Sequence, residues 1–130
     1  MFTLGNRFIE RTWVYGKGNF ATASLLNKLT GRRWLNSHLD EPEFFYEGLT
    51  GMLNETIEAA EIELLDVKVK EGEHSLEASF YLRIPFHGVE LIRHAYAYEN
   101  APCIRTFLEV KAHNLPRGDF FGGLRHVVLD

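Results

Sequence analysis

Six histidines, His38, His74, His87, His94, His113 and His126, are the side chains best suited to moving a proton or ligating a metal near neutral pH. None of them forms an HExxH or HxH pair, the spacings that bring two imidazoles from one element onto one ion. No metal and no cofactor are expected on that ground. Carboxylates are plentiful, and cleavage of a glycosidic bond needs two of them flanking it. Glu41 and Glu43 bracket Pro42, and Glu71 and Glu73 lie in a short linker containing Gly72. Carboxylates in such loops are ordinarily solvated charge, so none is expected to be catalytic. The GxSxG, GxGxxG and GxxxxGK[ST] patterns are absent, which removes the hydrolase-elbow, dinucleotide and P-loop chemistries. The one cysteine, Cys103, has no internal disulfide partner. Between Pro102 and Ile104 it reads as a small, half-buried thiol at the start of a strand.

Aromatic residues make up 13% of the chain, and sugar rings present apolar C–H faces to rigid aromatic plates. Trp34 follows Arg32-Arg33 and precedes Asn36, Ser37 and His38. One large ring in a polar loop suits either a sugar plate or a plug at the end of a sandwich. Trp13 sits inside a strand pattern, where burial is the commoner fate. Over residues 90–98, Ile92, His94, Tyr96 and Tyr98 share one face, and Leu91, Arg93, Ala95 and Ala97 share the other. That strand either lines an open sheet surface or buries one hydrogen-bonded histidine. Trp34, Trp13, His38 and His94 are therefore the candidate carbohydrate contacts.

The elements that must position these groups are strands. Leu76, Ala78, Phe80, Leu82 and Ile84 alternate with Glu77, Ser79, Tyr81 and Arg83, the period of a half-buried strand. The run before it places Leu65, Val67 and Val69 on one face, opposite Asp66, Lys68 and Lys70. The linker Glu71-Gly72-Glu73-His74 makes these two runs an antiparallel hairpin. Glu99-Asn100-Ala101-Pro102 reads as a turn. Beyond it Ile104, Thr106, Leu108, Val110 and Ala112 alternate with Arg105, Phe107, Glu109, Lys111 and His113. Residues 7–15, 20–26 and 43–46 also read as strands, and a last run over 124–129 begins another. One helix is expected over residues 54–64, where Leu53, Ile57, Ala60 and Leu64 recur near helical spacing behind Asn54 as a cap. The whole is an all-β reading: an antiparallel β-sandwich in one domain spanning residues 1–130.

The chain has 130 residues and a formal charge of -4 with histidine neutral. A chain of this length buries about two-thirds of its surface on folding, enough for one core without staples. A net acidic chain without a basic run lacks the electrostatic footprint of a general nucleic-acid binder. The first residues lack a basic segment followed by an apolar one, and no run approaches the ~20 apolar residues of a membrane helix. No membrane partner is expected, and the compartment, cytoplasmic or secreted, is left open.

Leu4-Gly5-Asn6, Ile9-Glu10-Arg11, Thr22-Ala23-Ser24-Leu25, Asn27-Lys28-Leu29-Thr30-Gly31 and Glu43-Phe44 follow one another in an order that resembles the opening of melibiase-type alpha-galactosidases, a group of glycoside hydrolases. Tyr96-Ala97-Tyr98-Glu99-Asn100-Ala101-Pro102-Cys103-Ile104-Arg105, then Val110 and Asn114, is similar to a later stretch of the same family. The resemblance implies an N-terminal β-supersandwich of the galactose-mutarotase-like type, partial or reduced at this length. It also implies a carbohydrate context. The family's catalytic aspartates lie on a downstream (β/α)8 barrel, which a chain this short does not hold, so no catalytic residue is carried over. Mutarotases sharing the fold use a histidine and a glutamate in a sequence setting that no histidine here reproduces. The expected role is thus a non-catalytic domain that packs on a downstream catalytic domain and edges its galactoside site. The alternatives are a free-standing carbohydrate-binding module using Trp34, and a small mutarotase-like isomerase using His94 or His113 as proton donor. The apolar run at 124–129 fits a chain cut from a longer one. Exposed sheet edges then favour a homo-oligomer.

Overall fold

The computed structural model describes residues 1–16, 18–37, 39, 46–47, 56–57, 62–84 and 89–112. Among them the protein is all-β. One sheet has the strand order β1 (Phe2–Gly5), β2 (Ile9–Gly16), β3 (Asn19–Asn27), β4 (Arg33–Leu35). The other runs β10 (Ile104–Ala112), β9 (Val89–Tyr98), β8 (Ser75–Ile84), β7 (Glu63–Glu71), and β5 (Tyr46–Glu47) pairs separately with β6 (Thr56–Ile57). Every pairing is antiparallel. The two four-stranded sheets form a sandwich, not a closed barrel.

Period-two alternation decides which side chains enter the space between the sheets. From β8, Ala78, Phe80 and Leu82 are buried, and from β9, Leu91, Ala95 and Ala97. From the facing sheet come Leu4, Trp13 and Phe20, with Phe2 packed beside them. Phe80 is the hub. Its ring lies 5.5 Å from Phe2, 5.3 Å from Trp13 and 4.9 Å from Phe20, so one side chain touches three strands of the opposite sheet. Tilted and edge-on aromatic pairs of this kind each contribute about 0.5–1.5 kcal/mol beyond their buried area. Ile62 adds a further buried apolar group, and its backbone N–H bonds to the Gly18 carbonyl while its own carbonyl accepts from the Tyr15 hydroxyl.

Asn6 ties the sheets together at one end. Its Oδ1 accepts from the backbone N–H groups of Phe8 and Ile9, which shapes the β1–β2 turn. Its Nδ2 donates to the carbonyls of Tyr98 and Ala101, in the turn between β9 and β10. Gly5 just before it has no room for a side chain: a Cβ would lie 2.6 Å from the Ile9 carbonyl oxygen.

The β7–β8 hairpin forms as its linker predicts, but β7 departs from simple alternation. The pairs Leu64↔Leu82 and Asp66↔Tyr81 skip Leu65, a β-bulge. Leu64 and Val67 therefore pack on the core, while Leu65 is 49% exposed. The helix expected over 54–64 is corrected where the chain is described: Thr56–Ile57 and the residues from Glu63 onward are strand. β1 is a strand that the sequence reading did not include. Cys103 is exposed, not half-buried. The expected runs at 43–45 and 124–129 lie outside the described residues.

Replacing Phe80 by alanine is expected to cost about 3–5 kcal/mol in urea denaturation. Val69→Ala, at a mostly exposed edge position, should stay within about 0.5 kcal/mol. Equal losses for the two would contradict this core.

Candidate functional site

The registers of β7 to β10 fix what stands on the outer face of their sheet. Reading across the strands, one row is Lys70, Glu77, Tyr96, Arg105 and the next is Lys68, Ser79, His94, Phe107. A third is Asp66, Tyr81, Ile92, Glu109. This face is neither plainly wet nor plainly oily. Charged groups stand along its outer strands, and His94, Ser79 and Ile92 at its middle are buried.

His94 is the centre of the cluster. Its Nδ1 lies 3.0 Å from Glu77 Oε1 and its Nε2 lies 2.9 Å from Glu109 Oε1. Ser79 Oγ sits 3.1 Å from Nδ1 and also bonds Glu77 at 3.1 Å. The imidazole stacks on the Phe107 ring, with centroids 4.4 Å apart and planes 19° from parallel. Tyr96 continues the stack from Phe107 at 5.8 Å, and Tyr98 from Tyr96 at 6.3 Å. The rings stand on the sheet with their faces against one another, so the column presents mainly its edges outward.

Each ring nitrogen of His94 thus faces a carboxylate oxygen within hydrogen-bond distance. Burial is the largest single influence on Glu77 and opposes its ionisation. Hydrogen bonds from His94, Tyr96 and Ser79, with the charge on His94, together outweigh it and hold the Glu77 carboxyl below its ordinary value. Tyr96 moves the other way. Burial, then its bond to Glu77 and that carboxylate's charge, push the phenol up, against the pull of Arg105. Tyr96 thus stays a hydrogen-bond donor. Neither effect gives this cluster the raised carboxylic acid that protonates a glycosidic leaving group.

The four candidate contacts are not brought together. His94 lies at the centre of the cluster. Trp13 has no exposed surface, its ring is packed on Phe80, and Arg11 lies 5.2 Å over it. A ring enclosed in this way offers no plate to a sugar. Trp34 is half-buried on β4, an edge strand of the other sheet, under the Arg32 guanidinium at 4.9 Å. His38 lies outside the described residues. Sequence reasoning missed Glu77, Glu109 and Phe107. The signal that finds Phe107 and Glu109 is the turn between β9 and β10: once Ile104 is set opposite Ala97, Phe107 falls beside His94 and Glu109 beside Ile92, whereas Glu77 follows from the β8–β9 register.

Among the described residues no group of three or more His, Cys, Asp or Glu side chains is arranged to hold a metal ion. No helix among them is long and apolar enough to cross a membrane. No family model matches the chain, and neither the curated proteins nor the solved structures contain a match.

The Glu77 environment predicts a pH signature. Because folding lowers this carboxyl's pKa, its stabilisation is present in full above the ordinary value of 4.5 and fades as pH falls through the lower folded value. Glu77→Gln should therefore destabilise the protein at neutral pH, and its deficit against wild type should shrink in acid below 4.5. A deficit that is the same in denaturant melts at both pH values contradicts the assignment.

Proposed function

We propose that this chain is a non-catalytic β-sandwich domain of a carbohydrate-active enzyme, of the alpha-galactosidase kind, and that it edges a sugar site with the outer face of β8, β9 and β10. A single observation carries this: His94 held between Glu77 and Glu109, beside the exposed ring of Phe107. Sugar hydroxyls both donate and accept. The half-exposed Glu109 carboxylate offers acceptors to them, and the Arg105 guanidinium supplies donors. Phe107 adds an apolar edge, and the network is assembled before any ligand arrives.

The same geometry supports the non-catalytic half of the proposal. Glu77 and Glu109 lie on opposite sides of one ring, each within hydrogen-bond distance of one of its nitrogens. General acid catalysis needs one carboxyl that keeps its proton near neutral pH, and Glu77 is shifted in the opposite sense. The partner would be a catalytic domain further along a longer chain, as the resemblance to melibiase-type enzymes implies. A second reading, a small mutarotase-like isomerase, draws on the 2.9 Å approach of His94 Nε2 to Glu109. There His94 would be the proton donor and Glu109 the base. His113, the other candidate donor, lies outside the described residues.

A methyl galactoside titrated into the isotope-labelled protein should shift backbone amide resonances of β8, β9 and β10, with an affinity in the millimolar range. Glu109→Gln should weaken that binding several-fold, whereas Trp34→Ala should leave it unchanged. A flat titration contradicts the sugar-edging role, and loss of binding in Trp34→Ala moves the contact to the other sheet. Polarimetry of freshly dissolved galactose separates the second reading. The rate with protein should equal the rate in buffer, and an acceleration lost in His94→Ala would establish the isomerase instead.

A further inference from the structure

We propose that β10 pairs edge to edge with β10 of a second copy of this chain, antiparallel and centred on Phe107, so that two β7–β10 sheets become one. The inference rests on how the four sheet edges differ. β1 has four residues and β4 has three, lengths too short to template another strand. β7 has nine, but the Leu65 bulge interrupts its register and twists the edge. β10 has nine residues in unbroken register with β9, without bulge or proline. Among the described residues no strand lies on its far side. Its outward backbone N–H and C=O groups form the template that the other edges avoid presenting.

Charge then selects the register. A two-fold axis normal to the sheet pairs residues whose side chains share a face, so its centre falls on a residue. Centred on Leu108, the pairing sets Arg105 against Lys111, like against like. Centred on Thr106, it sets Arg105 against Phe107. Centred on Phe107, it sets Arg105 against Glu109 twice, Ile104 against Val110 twice, and Phe107 against its own copy. Opposite charges and aromatic pairs directly across a strand are favourable, and like charges are not. The same register covers Phe107 and Val110, which are 36% and 41% exposed. Glu109 engages His94 through Oε1, and its second oxygen is an acceptor for the arriving guanidinium. The pairing engages Arg105, Glu109 and Phe107, the side chains proposed above to meet sugar, so dimer and sugar compete for them.

Light scattering on the wild-type chain from low to high micromolar concentration should show a mass rising to that of a dimer. Arg105→Glu places two like-charged pairs in the interface and should raise the dissociation constant on the order of tenfold or more. Glu109→Arg alone should do the same. An equal mixture of the two variants restores both ion pairs, so dimer should return in the mixture. If Glu109→Arg fails to fold, a second measurement serves. Phe107→Cys in a Cys103→Ser background should oxidise to a disulfide-linked dimer, and Thr106→Cys in that background should not. A wild-type monomer at every concentration overturns the proposal. So does a dimer that Arg105→Glu leaves intact, a mixture that stays monomeric, or equal crosslinking at positions 106 and 107.

Discussion

One aromatic ring holds the two halves of this protein in alignment. Phe80, near the middle of β8, meets a ring from each of three strands of the opposing sheet. Close-packed interiors tolerate little displacement, so contact with Phe2, Trp13 and Phe20 together leaves β8 few ways to slide. With Phe80 inward, strand geometry turns Glu77, Ser79 and Tyr81 outward. β9 pairs with β8 over its full length, which turns Leu91, Ala95 and Ala97 inward and His94 outward. The polar cluster on the open face is thus a consequence of the core on the other side of the same strands.

That coupling explains why a buried histidine sits on the outer face of a sheet. A sheet side facing solvent ordinarily carries separate, mobile polar groups. Here the groups are interlocked. Two carboxylates and a serine surround the imidazole, and a phenyl ring covers one side of it. Each member stands on one of three adjoining strands, so the cluster depends on the register of the ladder beneath it. A preformed polar edge of this kind loses little entropy when a ligand arrives. The Glu77 carboxyl, held below its ordinary value, is the acceptor on which His94, Tyr96 and Ser79 converge.

Much of the fold was legible in the sequence, and the exceptions have physical causes. The alternation of β8 was readable because its two faces differ in polarity at every step. β7 was misread by one residue at Leu65, because a bulge inserts a residue that no periodicity announces. The expected helix over 54–64 drew on local spacing, and pairing with distant strands overrode that preference from Glu63 onward. β1, four residues long, is held by Asn6 bonds to a turn more than ninety positions away. The site was legible only as a lone histidine. Its partners depend on cross-strand register, which comes from turn lengths and core packing and not from any one strand's pattern. The resemblance to a carbohydrate-active family supplied a role but did not point to Glu77 or Glu109.

One register, which turns Phe80 inward and His94 outward, places both the core and the polar cluster. Proton–proton Overhauser contacts in the labelled protein measure it directly. The Phe80 ring should show contacts to Trp13 and Phe20, and the His94 imidazole should show contacts to Phe107. Contacts from His94 to Trp13 or Phe20 would mean that β9 had slipped by one residue, and both the core and the proposed site would then be wrong.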